Sequence, residues 1–139
     1  MLSARILIIE DERQTVDTLR DLFEQHGYET EVALNLKVAM TILQERKMDL
    51  AIVSTTVQET SGIEILHEIR KLDANLPLII ISDQKSKRVE SSFTKAGANV
   101  FMVKPLDNSI ILQTIVNLLE AQPSIPIPKK IKASLKRKK

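Results

Sequence analysis

No cysteine occurs among the 139 residues, which excludes disulfides and thiolate metal sites and fits a reducing compartment. Glycine is scarce too, at three residues. No glycine-rich phosphate loop follows the first apolar run, which argues against a small α/β enzyme or a flavin binder. The two histidines, His26 and His67, stand apart with no metal-ligand spacing, so both read as helix-face or surface residues. No apolar run approaches the ~20 residues that a membrane helix needs. Near the N-terminus only Ile6 to Ile9 run consecutively apolar before Glu10, too short for the core of a signal peptide. A soluble, cytoplasmic protein is expected.

What the chain does have is an apolar fraction of 43%, enough for one full core, and a charge that is unevenly spread. Residues 122–139 carry seven basic side chains and no acidic one, so the net +2 leaves −5 on residues 1–121. The expectation is one folded domain over 1–121, mildly acidic, followed by a flexible, proline-containing, strongly basic tail. Pro123, Pro126 and Pro128 forbid a continuing helix there. Three readings fit the tail: a solubilising end, a binder of an anionic partner such as nucleic acid or a membrane surface, or a linker to an output domain. Ile127, Ile131 and Leu135 recur every fourth residue, a weak basic amphipathic signature, while the lack of tail aromatics speaks against base stacking.

The body alternates two patterns. Continuous apolar runs fall at Arg5 to Ile9, Thr30 to Leu34, Leu50 to Val53, Pro77 to Ser82 and Ala98 to Val103. Between them apolar residues recur at helical spacing: Val16, Leu19, Phe23 and His26, then Val38, Ala39, Ile42 and Leu43, then Ile65, Leu66 and Ile69. Residues 85–96 keep the period through Val89, Phe93 and Ala96, although Lys85, Lys87 and Arg88 crowd the start, where the helix dipole disfavours cations. A last helix carries Ile111, Ile115, Leu118 and Leu119. Asn35 and Asp107 read as caps, Gly27 as a stop, and Ser61 with Glu64 as a capping box. Strands that are apolar throughout, alternating with helices, predict a parallel sheet covered on both faces. Ligands of such sheets bind at the carboxyl ends of the strands, where this chain puts Glu10, Asp11, Ser54, Ser82 and Lys104.

The ordered set ILIIEDE, the strand and loop from Asp49 to Gly62, PLIIIS and GANVFMVKP resembles the receiver domain of two-component response regulators, over about residues 4–120. The resemblance implies a flavodoxin-like, CheY-like doubly wound sheet of five strands in the order 2-1-3-4-5. It implies a signalling role in phosphorelays and no enzymatic activity. In that family an aspartate ending the third strand accepts a phosphoryl group from a histidine kinase. By the same resemblance Glu10 and Asp11 match the acidic pair that helps hold Mg²⁺, with Asp11 the direct ligand. Ser82 matches the hydroxyl, Lys104 the phosphoryl-contacting lysine and Phe101 the switch aromatic. Lys104-Pro105 matches a bond that is typically cis. The partners implied are a histidine kinase or an output protein, with a homodimer through residues 85–120 as a further option.

The chain departs from the pattern where the chemistry should be. Ser54 occupies the phosphoacceptor position, Gln58 stands where proline is common, and Asp83 where a small residue is common. A serine hydroxyl is a poor nucleophile without an activating base or metal, and it brings no charge to a Mg²⁺ site. The expectation is an atypical receiver (a pseudo-receiver) that needs no cofactor, whose Mg²⁺ site is weak or absent, and that works by protein contact without aspartyl phosphorylation. The alternative is a switch in which a Ser/Thr kinase modifies Ser54, Thr55 or Thr56. Lys104 is expected to form a structural ion pair with Glu10 and Asp11. Asp83 reads either as a solvated helix-start residue or as a replacement for the missing negative charge.

Overall fold

The computed structural model describes residues 3–121. In chain order the elements are β1 (Arg5–Ile9), α1 (Arg13–Gln25), β2 (Glu29–Ala33), α2 (Leu36–Glu45), β3 (Leu50–Ser54), β4 (Thr56–Val57), β5 (Thr60–Ser61), α3 (Gly62–Leu72), β6 (Leu78–Ser82), α4 (Lys87–Lys95), β7 (Val100–Val103) and α5 (Asn108–Glu120). Five strands form one parallel sheet in the order β2-β1-β3-β6-β7. Numbered among themselves, the sheet strands run 2-1-3-4-5, the doubly wound order expected. The tail assignments fall on residues 122–139, outside the described residues.

Side chains alternate across the sheet, so each strand feeds two cores. Ile6, Ile8, Leu50, Ile52, Ile79 and Ile81 meet Val16, Leu19 and Phe23 of α1 and Ile111, Ile115, Val116 and Leu119 of α5. Leu7, Ile9, Ala51, Val53, Leu78 and Ile80 meet Ala39, Ile65, Leu66, Ile69 and Phe93 of the other three helices. β1, β3 and β6 are therefore wet on neither face, which is why they are apolar at successive positions. Each such buried Ile or Leu is worth roughly 1.5–3 kcal/mol.

The caps follow the sequence in large part. Asn35 accepts from the amide of Val38, and Asp107 from that of Ile110. Gly27 takes φ +87°, closing α1 as its position suggested. Ser61 caps α3 by accepting from Ile63, at the second helical residue rather than the third. Val38 is 40% exposed instead of inward, because α2 buries a narrower stripe centred on Ala39. α4 begins at Lys87 behind the cap Ser86, so Lys85 lies outside it and Asp83 is no helix-start residue. A hairpin that the sequence did not announce, β4 with β5, pairs Thr56 with Ser61 and Val57 with Thr60 around Gln58 and Glu59. Gln58 has φ +46°, as two-residue hairpin turns favour at their first central position.

Tyr28 packs edge-to-face on Phe23, with ring centroids 6.4 Å apart, and its buried hydroxyl has no hydrogen-bond partner. Burial alone pushes that phenol well above its ordinary value of 10.0. Tyr28→Phe keeps the ring and removes the orphan group. It is expected to be neutral or to stabilise by up to about 1 kcal/mol in urea unfolding, whereas a loss above that size would mean that the hydroxyl is satisfied.

Candidate functional site at the carboxyl rim of the sheet

The order of the sheet reverses between β1 and β3, so the loops after those strands splay apart and leave a crevice. β1 delivers Glu10, Asp11 and Glu12 to it, β3 delivers Ser54, β6 delivers Ser82 and Asp83, and β7 delivers Lys104. Glu10, Ser54 and Ser82 are buried, at 2, 5 and 3% exposure.

Glu10 is buried with both its oxygens occupied. Oε2 accepts the amides of Asp11 (2.9 Å) and Glu12 (3.2 Å), and Oε1 lies 3.2 Å from Lys104 Nζ. Lys104 itself is 18% exposed and has two further anionic neighbours, Glu12 at 3.4 Å and Asp83 at 3.3 Å. Desolvation works to lower its pKa, but the charges of Glu10 and Asp83 and their hydrogen bonds outweigh it and hold the ammonium above its ordinary 10.5. A hydrogen bond from Thr15, and then the charge of Lys104, hold Glu12 below its ordinary 4.5. Both shifts favour the charged forms of Lys104 and Glu12.

Asp11, expected beside Lys104, is not one of its ion-pair partners. Its Oδ2 accepts the backbone amide of Gln58 at 2.7 Å, so the hairpin loop draws it away. Proline at position 58 would have neither that N–H nor access to φ +46°. The unusual residue and the diverted carboxylate thus have one cause. Ser82 Oγ is engaged within its own turn, donating to the carbonyl of Gln84 (2.8 Å) and accepting its amide (3.1 Å). Phe101 is half-buried on β7 and packs on Phe93, with centroids 6.0 Å apart. The Lys104-Pro105 peptide is cis. Thr55 is half-buried, and Thr56 is exposed on the hairpin. His26 donates from Nδ1 to the carbonyl of Leu22 at 2.8 Å, which gives it a structural occupation.

A divalent cation would find a poor donor set here. Glu10 is committed to Lys104 and two amides, one oxygen of Asp11 is committed to Gln58, and position 54 supplies a neutral hydroxyl. Among the described residues no three His, Cys, Asp or Glu side chains converge as metal ligands. Mg²⁺ prefers carboxylate oxygens in near-octahedral array. Sequence reasoning missed Glu12 as a third carboxylate on Lys104. Its place in the run Glu10-Asp11-Glu12 was the available signal.

Among the described residues no helix is long and apolar enough to cross a membrane. Residues 6–116 match the family model described as the response regulator receiver domain. The chain is 30% identical over 115 residues to the chemotaxis protein CheY of Thermotoga maritima, covering 82% of this chain and 96% of that one. It is 27% identical over 116 residues to the polar-differentiation response regulator DivK of Brucella anthropi, across 82% and 94% of the two chains. A CheY-like receiver domain structure from Methanospirillum hungatei superposes with a TM-score of 0.83 at 24% identity, covering 88% of this chain and 98% of the other.

Proposed function

Because the chain belongs to the response regulator receiver family, we propose that it is an atypical member, signalling by protein contact without aspartyl phosphorylation. The observation that carries this is the residue at the end of β3: Ser54 is buried at 5% exposure and brings no carboxylate to the crevice. The occupied state of Lys104 agrees with it, since Glu10, Glu12 and Asp83 already surround the ammonium. In this reading the protein is cytoplasmic, needs no Mg²⁺ and catalyses nothing. Its partner is a histidine kinase or an output protein, met through α4, β7 and α5, or a second copy of the chain through the same face. That face supports contact by its half-buried β7 and by Ile110, which is 57% exposed.

The second reading, modification by a Ser/Thr kinase, is disfavoured at Ser54 by burial and rests on exposed Thr56. Intact-mass spectrometry with acetyl phosphate and Mg²⁺ tests the first reading. The wild-type chain is expected to gain no phosphate, while Ser54→Asp is expected to gain one, since Asp11, Ser82 and Lys104 remain at the rim. A stable adduct on the wild-type protein would overturn the proposal.

A further inference from the structure

α4 is thinly anchored, with a single buried residue. Its fully buried contribution is Phe93, with Val89 and Ala96 packed only in part, and its cap Ser86 binds its own first turn. Elements with so few buried contacts open locally at low free energy, so their position is set by whatever holds their ends. Beyond the C-terminal end of α4, Gly97 is tied to α3 by the guanidinium of Arg70. At the other end the chain runs from β6 through Ser82, Asp83 and Gln84, where Asp83 Oδ1 meets Lys104 Nζ at 3.3 Å.

We propose that Asp83 is a built-in latch, its carboxylate holding the loop between β6 and α4 against Lys104 so that the start of α4 keeps one fixed setting. Three loops converge on that ammonium: the one after β1 through Glu10 and Glu12, the one after β6 through Asp83, and the one after β7 that carries the lysine. A solvated ion pair is worth little, and Asp83 alone, with its side chain 74% exposed, would be one. Its partner is different: Lys104 is 18% exposed and kept in place from below by buried Glu10, so the lysine is already immobile when Asp83 reaches it. The ordering cost that weakens most surface pairs is then largely met on one side. The latch rests on the reading above in one respect only, that no added anionic group competes for Lys104.

Amide hydrogen exchange on the full chain at neutral pH, read over residues 83–90, tests it. Asp83→Asn keeps the shape and loses the charge, and is expected to speed exchange there about two- to five-fold, with an unchanged melting temperature. Asp83→Glu is expected to restore slow exchange. Glu12→Gln removes a carboxylate of the other loop and is expected to leave residues 83–90 alone. Wild-type exchange in Asp83→Asn, or equal loosening of the segment by Glu12→Gln, would overturn the latch. Neither outcome bears on whether the wild-type protein takes up phosphate, which the mass measurement decides separately.

Discussion

Arg70→Ala is expected to lower the unfolding free energy by about 2–4 kcal/mol, a large share of the roughly 5–15 kcal/mol typical of a single domain. The guanidinium makes no ion pair its main business. It donates twice to the carbonyl of Gly97 (3.1 and 2.6 Å), to those of Leu76 (2.7 Å) and Asp73 (3.2 Å), and to Asn99 Oδ1 (3.2 Å). Asn99 Oδ1 in turn accepts the amide of Leu78 at 2.8 Å, so the fork locks the approach to β6 and β7 together. Burial lowers the Arg70 pKa from its ordinary 12.5, against the opposing charge of Asp73, yet arginine stays charged at any pH where the fold exists. Alanine would strand two partly buried carbonyls at once, those of Gly97 and Leu76. Lysine, a point donor, is expected to recover less than half of the loss. Urea unfolding midpoints measure both, and an Arg70→Ala midpoint close to wild type would show that water replaces the fork.

The second large effect is expected at Gly62. A Cβ added there would lie 2.6 Å from the carbonyl oxygen of Ser54, a backbone atom, and 3.1 Å from two ring atoms of Phe93. Glycine at the first turn of a helix is otherwise a loss, by up to about 1 kcal/mol against alanine. The overlap reverses that sign. Gly62→Ala is expected to destabilise by about 2–3 kcal/mol, because either the end of β3 or the start of α3 has to move. The strain falls on the residue before Thr55, so the variant is also expected to speed amide exchange through the hairpin at residues 56–61. A variant at least as stable as wild type would mean that α3 shifts freely.

These two residues also mark where the sequence was readable and where it was not. Gly62 was visible as the close of a strand, loop and helix, and the five apolar runs and their intervening stripes gave the sheet and all five large helices. Burial on both faces writes itself into a strand as an unbroken apolar run, and burial on one side writes itself into a helix as a period of 3.6. Arg70 had no such signature. Its role is made of bonds from one side chain to backbone carbonyls 3 to 27 residues away, and any arginine near a helix end looks the same. The hairpin at Thr56 to Ser61 was hidden because TVQETS contains none of the asparagine or glycine that usually announces a two-residue turn.

The rim shows the same division. That Glu10, Asp11, Ser54, Ser82 and Lys104 would share one edge followed from strand ends in a parallel sheet. Which carboxylate would take the lysine did not follow, since that depends on where each loop bends. Glu10 folds inward onto amides of its own loop, Asp11 is claimed by the amide of Gln58, and Asp83 arrives from a turn closed by Ser82.

Lys104 and Glu10 lie 94 residues apart in the chain and meet at 3.2 Å. The crevice is thus assembled from β1 and β7, the first and last of the described strands in chain order. A chain folded only as far as β6 lacks α5, which covers one core through Ile111, Ile115, Val116 and Leu119, and it lacks the ammonium on which Asp83 rests. A copy ending before Lys104 keeps Glu10, Glu12 and Asp83 yet lacks the cation they share, so its rim carries uncompensated negative charge.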